Sequence, residues 1–176
     1  MLFRSDATGR EHAALTVGAI DDGQPVLTRL HSECLTGDTL YSLKCDCGPQ
    51  LQAAQQAIAT EGRGVLLYLR GHEGRGIGLS NKIRAYALQD TGLDTVDANL
   101  ALGQAIDART YAFAADFLRQ WGVNSVRLMS NNPIKIKALE DAGIKVTEQM
   151  RHIVPPNSEN EKYLATKRSR MGHLLD

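Results

Sequence analysis

The stretch VLLYLRGHEGRGIGLSNKIRAYALQD, residues 65–90, decides how the chain is read. Its opening run, Val65 to Tyr68, is short and continuously apolar, the pattern of a strand buried on both faces. The glycine-rich GHEGRGIG, residues 71–78, cannot extend that strand and reads as a loop. From about Leu79 to Asp90, Leu79, Ile83 and Ala87 recur at helical spacing and predict a helix that also carries Tyr86. Strand, loop and helix in that order form the unit from which helix-covered sheets are built.

Downstream, helices and strands alternate, with no internal repeat of sequence. A helix is expected from about Ala108 to Trp121, with Phe113, Phe117 and Trp121 on one stripe and a stop at Gly122. Strand Ser125 to Met129, helix Ile134 to Ala142 and strand Ile144 to Glu148 follow. Beyond Pro155-Pro156-Asn157, Ser158 and Glu161 form a capping-box pattern that starts a charged helix to about Met171. On the upstream side, Leu15, Val17 and Ala19 alternate with Thr16 and Gly18. Asp21-Asp22-Gly23 supplies a turn, and Pro25 to His31 resumes an extended pattern, so this region reads as a hairpin. Its second strand puts Leu27, Arg29, His31 and Glu33 on one face, because strand side chains alternate with period two. Thr39 to Lys44 is again strand-like, and Gly48-Pro49 opens a helix with Leu51, Ala54 and Ile58, ended by Glu61-Gly62. Strands that first pair locally and then alternate with helices predict one α/β domain over residues 1–176, with a mixed sheet covered by helices.

Composition narrows the function. The 176 residues carry 20 Lys plus Arg against 20 Asp plus Glu. Such a balance provides no long-range positive field for nucleic acid or a membrane surface, so any anion site has to be built locally. The N-terminal MLFRSDATGREH lacks the pattern of a secretory signal, and no stretch approaches a membrane-spanning length, which predicts a cytoplasmic protein. The 3 cysteines cannot make a disulfide framework in that compartment.

Cys45 and Cys47 lie two apart in a segment expected to be extended, which projects both thiols to one side, while Cys34 lies one loop earlier. Three cysteines without a fourth fit a catalytic zinc, which keeps one position for water, better than a closed structural site. Buried inert thiols explain the same residues. Arg29, His31 and Glu33, together with a helix start at Cys47, favour the metal, and a histidine as fourth ligand is compatible with it. The glycines around Glu73 and Arg75 let backbone approach a ligand, and Arg75 can clamp a phosphate or carboxylate. The spacing is not that of the Walker loop, and an ordinary connection is equally compatible. Spacing gives Tyr86 a packing role, makes Asp107 a helix cap beside a solvated Arg109, and reads SNNPIK (residues 130–135) either as a turn or as a ligand loop at a strand end. His12, His72, His152 and His173 receive no role.

Taken together, HSECLTGD (residues 31–38), CDCG (residues 45–48), YLRGHEGRGIGL (residues 68–79), NKIRAYALQD (residues 81–90) and SNNPIK resemble the GTP cyclohydrolase II family of riboflavin biosynthesis. Five segments in this order make a specific signature, running from about Pro25 to the C-terminus. The resemblance implies hydrolysis of GTP at carbon 8 of guanine, with release of formate and pyrophosphate and formation of a diaminopyrimidine ribosyl phosphate. It also implies zinc and magnesium as cofactors and a homodimer. By motif it makes Cys34, Cys45 and Cys47 the zinc ligands. Arg29, Leu30, His31, Ser32, Glu33, Gln50, Glu73, Gly74, Arg75, Thr95, Ser130 and Lys135 become GTP contacts. Asp107 and Arg109 become proton acceptor and nucleophile, and Tyr86 moves from packing to ring opening. Two departures accompany the match: Ser130 stands where threonine is usual, and the family generally carries another strand upstream. Two further readings are an enzyme of the family that stops earlier or takes another purine nucleotide, and a non-catalytic zinc-stabilised nucleotide-binding module.

Overall fold

The computed structural model describes residues 2–4, by their backbone, and residues 9–174. Six strands form one mixed sheet: β1 (Leu2–Arg4), β2 (Glu11–Val17), β3 (Val26–Ser32), β4 (Gly64–Leu69), β5 (Ser125–Met129) and β6 (Lys145–Met150). Their order is β1-β2-β4-β3-β5-β6; β1, β2 and β4 pair antiparallel, and β4, β3, β5 and β6 run parallel. The expected α/β architecture, a mixed sheet covered by helices, is therefore what the chain forms.

Alternation along the central strands separates two cores. Val26 and Leu30 of β3, Val65, Leu67 and Leu69 of β4, and Val126 and Leu128 of β5 face one way. They pack against α5 (Ala112–Gln120) and α6 (Pro133–Asp141) through Ala114, Phe117, Leu118 and Leu139. Leu27, Leu66 and Met129 face the other way, onto Ala54 and Ile58 of α2 (Cys47–Glu61). Thus β3 feeds a helix on one face while its neighbours β4 and β5 feed helices on the other. Connections that diverge like this open a crevice at the carboxyl ends of the strands.

The expected hairpin does not form, because β4 lies between β2 and β3. Arg63, immediately before β4, explains this: its guanidinium binds the carbonyls of Ala19, Gln24 and Pro25 and the carboxylate of Asp22. The β2–β3 connection is wrapped around that one side chain and held open as a crossing, while the wholly apolar β4 gains a partner on each edge.

Residues 39–44 are not a strand either. The amides of Leu40 and Ser42 turn back onto the carbonyls of Leu35 and Thr36, Tyr41 takes a φ of 55°, and Leu40, Tyr41 and Leu43 are exposed. Cys47 consequently sits in the first turn of α2 rather than in an extended segment.

Further along, α3 (Leu79–Asp90) has the expected bounds, but it buries Lys82 and Ala85, while Leu79 and Ile83 are exposed. The spacing that suggested an apolar face there describes the outer side of the helix. A short helix without a strong period, α4 (Thr95–Ala101), was not expected; Asp94 caps it by accepting the amides of Val96 and Asp97 at 2.8 and 2.9 Å. The helix expected from Ala108 begins at Ala112, which leaves Asp107 and Arg109 in the preceding loop. At the last helix, α7 (Glu161–Met171), the Ser158–Glu161 box is replaced by Asn157 and Asn160, each of whose side-chain oxygens accepts the other's amide.

Candidate functional site

One deep cleft lies at the carboxyl ends of β3, β4 and β5, roofed by α3, α4 and α7. The segments after these strands supply Glu33 and Cys34, His72 to Arg75, and Ser130 to Asn132. Three residues on its walls, Tyr163, Lys167 and His173, come from α7 and just beyond it.

At one end the three cysteines converge. The Sγ atoms of Cys34, Cys45 and Cys47 all lie within 4.8 Å of one another, and no other His, Cys, Asp or Glu completes the group among the described residues. A corner between α1 (Leu35–Asp38) and α2 brings them together, not strand alternation. Two glycines make that corner possible. A Cβ on Gly37 would sit 2.7 Å from Cys45 Sγ and 3.1 Å from Cys34 Sγ, and one on Gly48 would sit 2.3 Å from the Gly37 carbonyl oxygen. S–H donation from Cys45 and Cys47, with Lys82 nearby, pulls the Cys34 pKa down, while Cys45 is pushed up to about 11 by its bond to Cys34. Three soft donors around a cradle kept clear by a glycine could hold a metal ion that favours sulfur.

The glycine loop is locally strained. Gly74 and Arg75 both have positive φ, 59° and 65°, the second being rare for a residue with a side chain. A Cβ on Gly74 would meet Ile77 Cγ1 at 2.9 Å. This conformation delivers the buried Arg75 guanidinium to the cleft, where neither Nη has a hydrogen-bond partner among the described residues. The Glu73 carboxylate is engaged inward, accepting Lys82 Nζ at 2.6 Å and the Leu35 amide at 2.6 Å.

Arg75 is one of several buried cations here. Arg29 donates to the Met129 carbonyl at 2.8 Å and to Gln50 Oε1 at 2.6 Å; Lys135 donates to the Leu30 carbonyl at 2.7 Å. Neither bonds a carboxylate among the described residues, and burial lowers the Arg29 pKa to about 10. Burial, joined by Arg29, Arg109 and Lys167, pulls the Lys135 pKa well down. His173 records the same field: burial and the surrounding Lys167, Arg109, Lys135 and Arg75 lower it to about 3. A chain with no net charge has gathered in one cleft several cations that bond no carboxylate among the described residues, an arrangement that could hold an anion.

Arg109 differs because it has a fixed partner. Its Nε and Nη2 reach the two Asp107 oxygens at 2.9 and 2.5 Å, and Nη1 reaches Ser32 Oγ at 3.3 Å. Burial opposes its charge, but the Asp107 fork raises its pKa above the ordinary guanidinium value. Asp107 itself does not line the cleft; its carboxylate pairs with Arg109, which does.

The remaining expected residues sort by position. His31, Ser32, Glu33, Gln50, Tyr86, Thr95 and Ser130 line the cleft; Leu30 does not, since its side chain is in the core and only its carbonyl reaches Lys135. His31 bonds Asp38 at 3.0 Å and stacks on Tyr68, Glu33 takes the Gly71 amide at 2.6 Å, and Ser130 Oγ accepts the Asn132 amide at 3.1 Å. Tyr86 lies near both Lys44 and Lys82, and burial pushes its phenol up to about 12.

Several side chains of the site carried no sequence signal. His72, given no role, lines the cleft and contacts Ser32 Oγ through Nδ1 at 3.1 Å. Asp46 accepts Lys167 at 2.7 Å and Gln50 at 2.6 Å, joining α7 to α2. Lys82 and Lys167 lie in no motif that singles them out; the depletion of apolar residues from the inner sides of α3 and α7 was the signal that could have found them.

The family model described as GTP cyclohydrolase II matches residues 1–151. Among curated proteins, the chain is 62% identical to GTP cyclohydrolase-2 of Azotobacter vinelandii over 173 residues, covering 98% of this chain and 83% of that protein. It is 60% identical to GTP cyclohydrolase-2 of Neisseria meningitidis serogroup C over 170 residues, 97% of this chain and 86% of the relative. With GTP cyclohydrolase-2 of Pseudomonas putida it shares 62% over 173 residues, 98% and 84% of the two chains.

Proposed function

The chain belongs to the GTP cyclohydrolase II family, and from that premise we propose that it hydrolyses GTP to formate, pyrophosphate and a 2,5-diamino-6-hydroxy-4-(5-phosphoribosylamino)pyrimidine, the entry step of riboflavin biosynthesis. The observation that carries the reading is the pairing, in one cleft, of a three-thiol cradle with the buried cations Arg29, Arg75 and Lys135, none of which bonds a carboxylate among the described residues. A metal cradle alone, or an anion pocket alone, would not need the other beside it.

The stoichiometry calls for three waters. Two are consumed at carbon 8, the first opening the imidazole ring to a formamide and the second releasing formate, and one is consumed at the α-phosphorus as pyrophosphate leaves. Zinc on Cys34, Cys45 and Cys47 would supply Lewis acidity and an acidified water at the guanine end; magnesium would accompany the triphosphate. The protein's own groups divide the rest. Arg75 and Lys135 hold phosphate oxygens, Arg75 with a free two-toothed fork. Arg29, set by Gln50 and the Met129 carbonyl, together with His31 to Glu33, orients the base. Thr95 and Ser130 offer hydroxyls at the cleft wall. With its phenol pushed up to about 12, Tyr86 stays protonated at neutral pH and donates rather than accepts a proton during ring opening. Arg109, kept charged by Asp107, stabilises negative charge developing at the α-phosphorus; the same fork that fixes it makes it a poor nucleophile. The reading includes a cytoplasmic homodimer. Of the described helices none is long and apolar enough to cross a membrane.

The test is to incubate zinc-replete protein with GTP and magnesium while following formate, pyrophosphate and nucleotide mass. All three products in equal amounts support the proposal; a formamide product or a preference for another purine nucleotide points to a variant activity. Tight GTP binding with no product at all overturns it in favour of a binding module. In Cys45→Ser, bound zinc and formate release should vanish together.

A further inference from the structure

Lys82 is a buried lysine on α3 that no part of the proposed chemistry has yet used. Its ammonium is closed in by three side chains, donating to Cys34 Sγ at 3.1 Å, Thr36 Oγ1 at 2.7 Å and Glu73 Oε1 at 2.6 Å. Fully burying a lysine is costly, and one ion pair with Glu73 would leave the remaining donors to be satisfied. Here the other two bonds go to the cysteine segment, one of them to a thiol of the cradle. A salt bridge serving only to pin α3 to the glycine loop would not need to reach a sulfur.

The geometry points to Lys82 as a positioning and charge-compensating residue for the metal. This rests on the zinc reading of the three cysteines. Three thiolates around a divalent ion leave an excess negative charge in a cleft largely shut off from water, where charge is expensive to leave uncompensated. The Lys82 ammonium supplies the counter-charge from behind Cys34, and its N–H donated to sulfur draws electron density from that ligand, which keeps the ion a stronger Lewis acid. Glu73 fixes the lysine in turn: one oxygen takes Nζ, and the other takes the Leu35 amide, one residue past Cys34. A three-thiolate zinc is electron-rich and by itself a weak activator of water. In this protein Lys82 offsets that weakness, and the loop segment Glu73 to Arg75 is thereby tied to the metal ligands on which its register depends.

Chelator competition with zinc, and cobalt substitution, test the assignment. Lys82→Met, which keeps the stem and removes the charge, should lose zinc to chelator with an affinity lowered roughly 10- to 100-fold, the usual scale for an outer partner of a metal ligand. Its thiolate-to-cobalt charge-transfer band should shift, and turnover should fall mainly in kcat. Lys82→Arg, which keeps charge and donors, should recover most of the zinc affinity. A Lys82→Met protein that holds zinc as tightly as the wild type, with an unshifted cobalt band, overturns the inference. Should Lys82→Met fail to fold, Lys82→Gln decides, since it removes the charge but keeps a polar end to bond Glu73 and Thr36. Zinc lost to chelator on the scale expected for Lys82→Met supports the assignment, and zinc held as tightly as in the wild type overturns it. A wild-type protein that takes up no zinc overturns the metal reading and this inference with it, whereas wild-type uptake with unaltered Lys82→Met overturns this inference alone.

Discussion

Replacing Lys135 with methionine should raise stability and lower activity. The ammonium is buried, its one hydrogen bond among the described residues goes to the Leu30 carbonyl at 2.7 Å, and its electrostatic neighbours include the cations Arg29, Arg109 and Lys167. Desolvating such a cation costs several kcal/mol, and its charged hydrogen bond returns about 1.5–3 kcal/mol, which leaves a net penalty of roughly 1–3 kcal/mol. Methionine fills a similar volume without the charge, so the variant should gain that amount near pH 7. For a chain of this size that is an increase of roughly 5 °C in melting temperature. The pH dependence fixes the cause. A lysine whose pKa is lowered on folding binds fewer protons in the native than in the unfolded state, so the wild type gains stability as pH rises toward the lysine's ordinary 10.5. The methionine advantage should therefore be greatest in acid and shrink steadily toward alkaline pH. Activity should move oppositely: loss of a charged hydrogen bond to phosphate, about 1.5–3 kcal/mol, lowers kcat/KM for GTP roughly 10- to 150-fold. Urea unfolding followed by circular dichroism across pH, with steady-state turnover on the same preparations, measures both. A variant less stable than the wild type, or a stability difference flat with pH, would refute the placement of Lys135 as an unneutralised cation held for an anion.

Three further substitutions probe separate parts of the site. Gly37→Ala places a methyl 2.7 Å from Cys45 Sγ and should abolish zinc uptake while costing about 1–3 kcal/mol in overpacking; normal metal content by elemental analysis would contradict the cradle. Asp46→Asn leaves Lys167 buried without its carboxylate and should destabilise the fold by about 3 kcal/mol in urea melts, against no change if the 2.7 Å contact is incidental. Arg109→Lys keeps a charge but loses the fork to Asp107, so pyrophosphate release should fall roughly 100-fold with unchanged circular dichroism; undiminished release would remove the guanidinium geometry from the mechanism.

How much of this was readable in the chain depends on whether the information is periodic. Strand β5 and helix α3 were legible to the residue, because an apolar run and its flanking breakers are local signals. The face shared by Leu27, Arg29 and His31 was legible too, since alternation alone fixes it. The β2–β3 hairpin was misread because Arg63, which holds the intervening loop open, acts through tertiary hydrogen bonds that leave no pattern in residues 15–31. The thiols do converge, but through an α1–α2 corner sustained by Gly37 and Gly48 rather than through strand geometry. Lys82, Lys167 and Asp46 were illegible for a related reason. Buried charges that satisfy one another across distant segments look, one at a time, like solvated surface residues.

The bond between Lys167 and Asp46 also bears on how the site comes into being. Asp46 stands between two metal-cradle cysteines, while its partner belongs to the last described helix. A nascent chain that has emerged only through β6 already carries all three thiols, the glycine loop and Arg109. Its Asp46 is then a carboxylate with no ammonium to meet, and the wall formed by Tyr163, Lys167 and His173 is missing. Competence thereby waits for α7: the cleft is walled around its charges only when that helix docks. A form clipped before α7 should therefore lack the Lys167–Asp46 bond and the third wall of the cleft together.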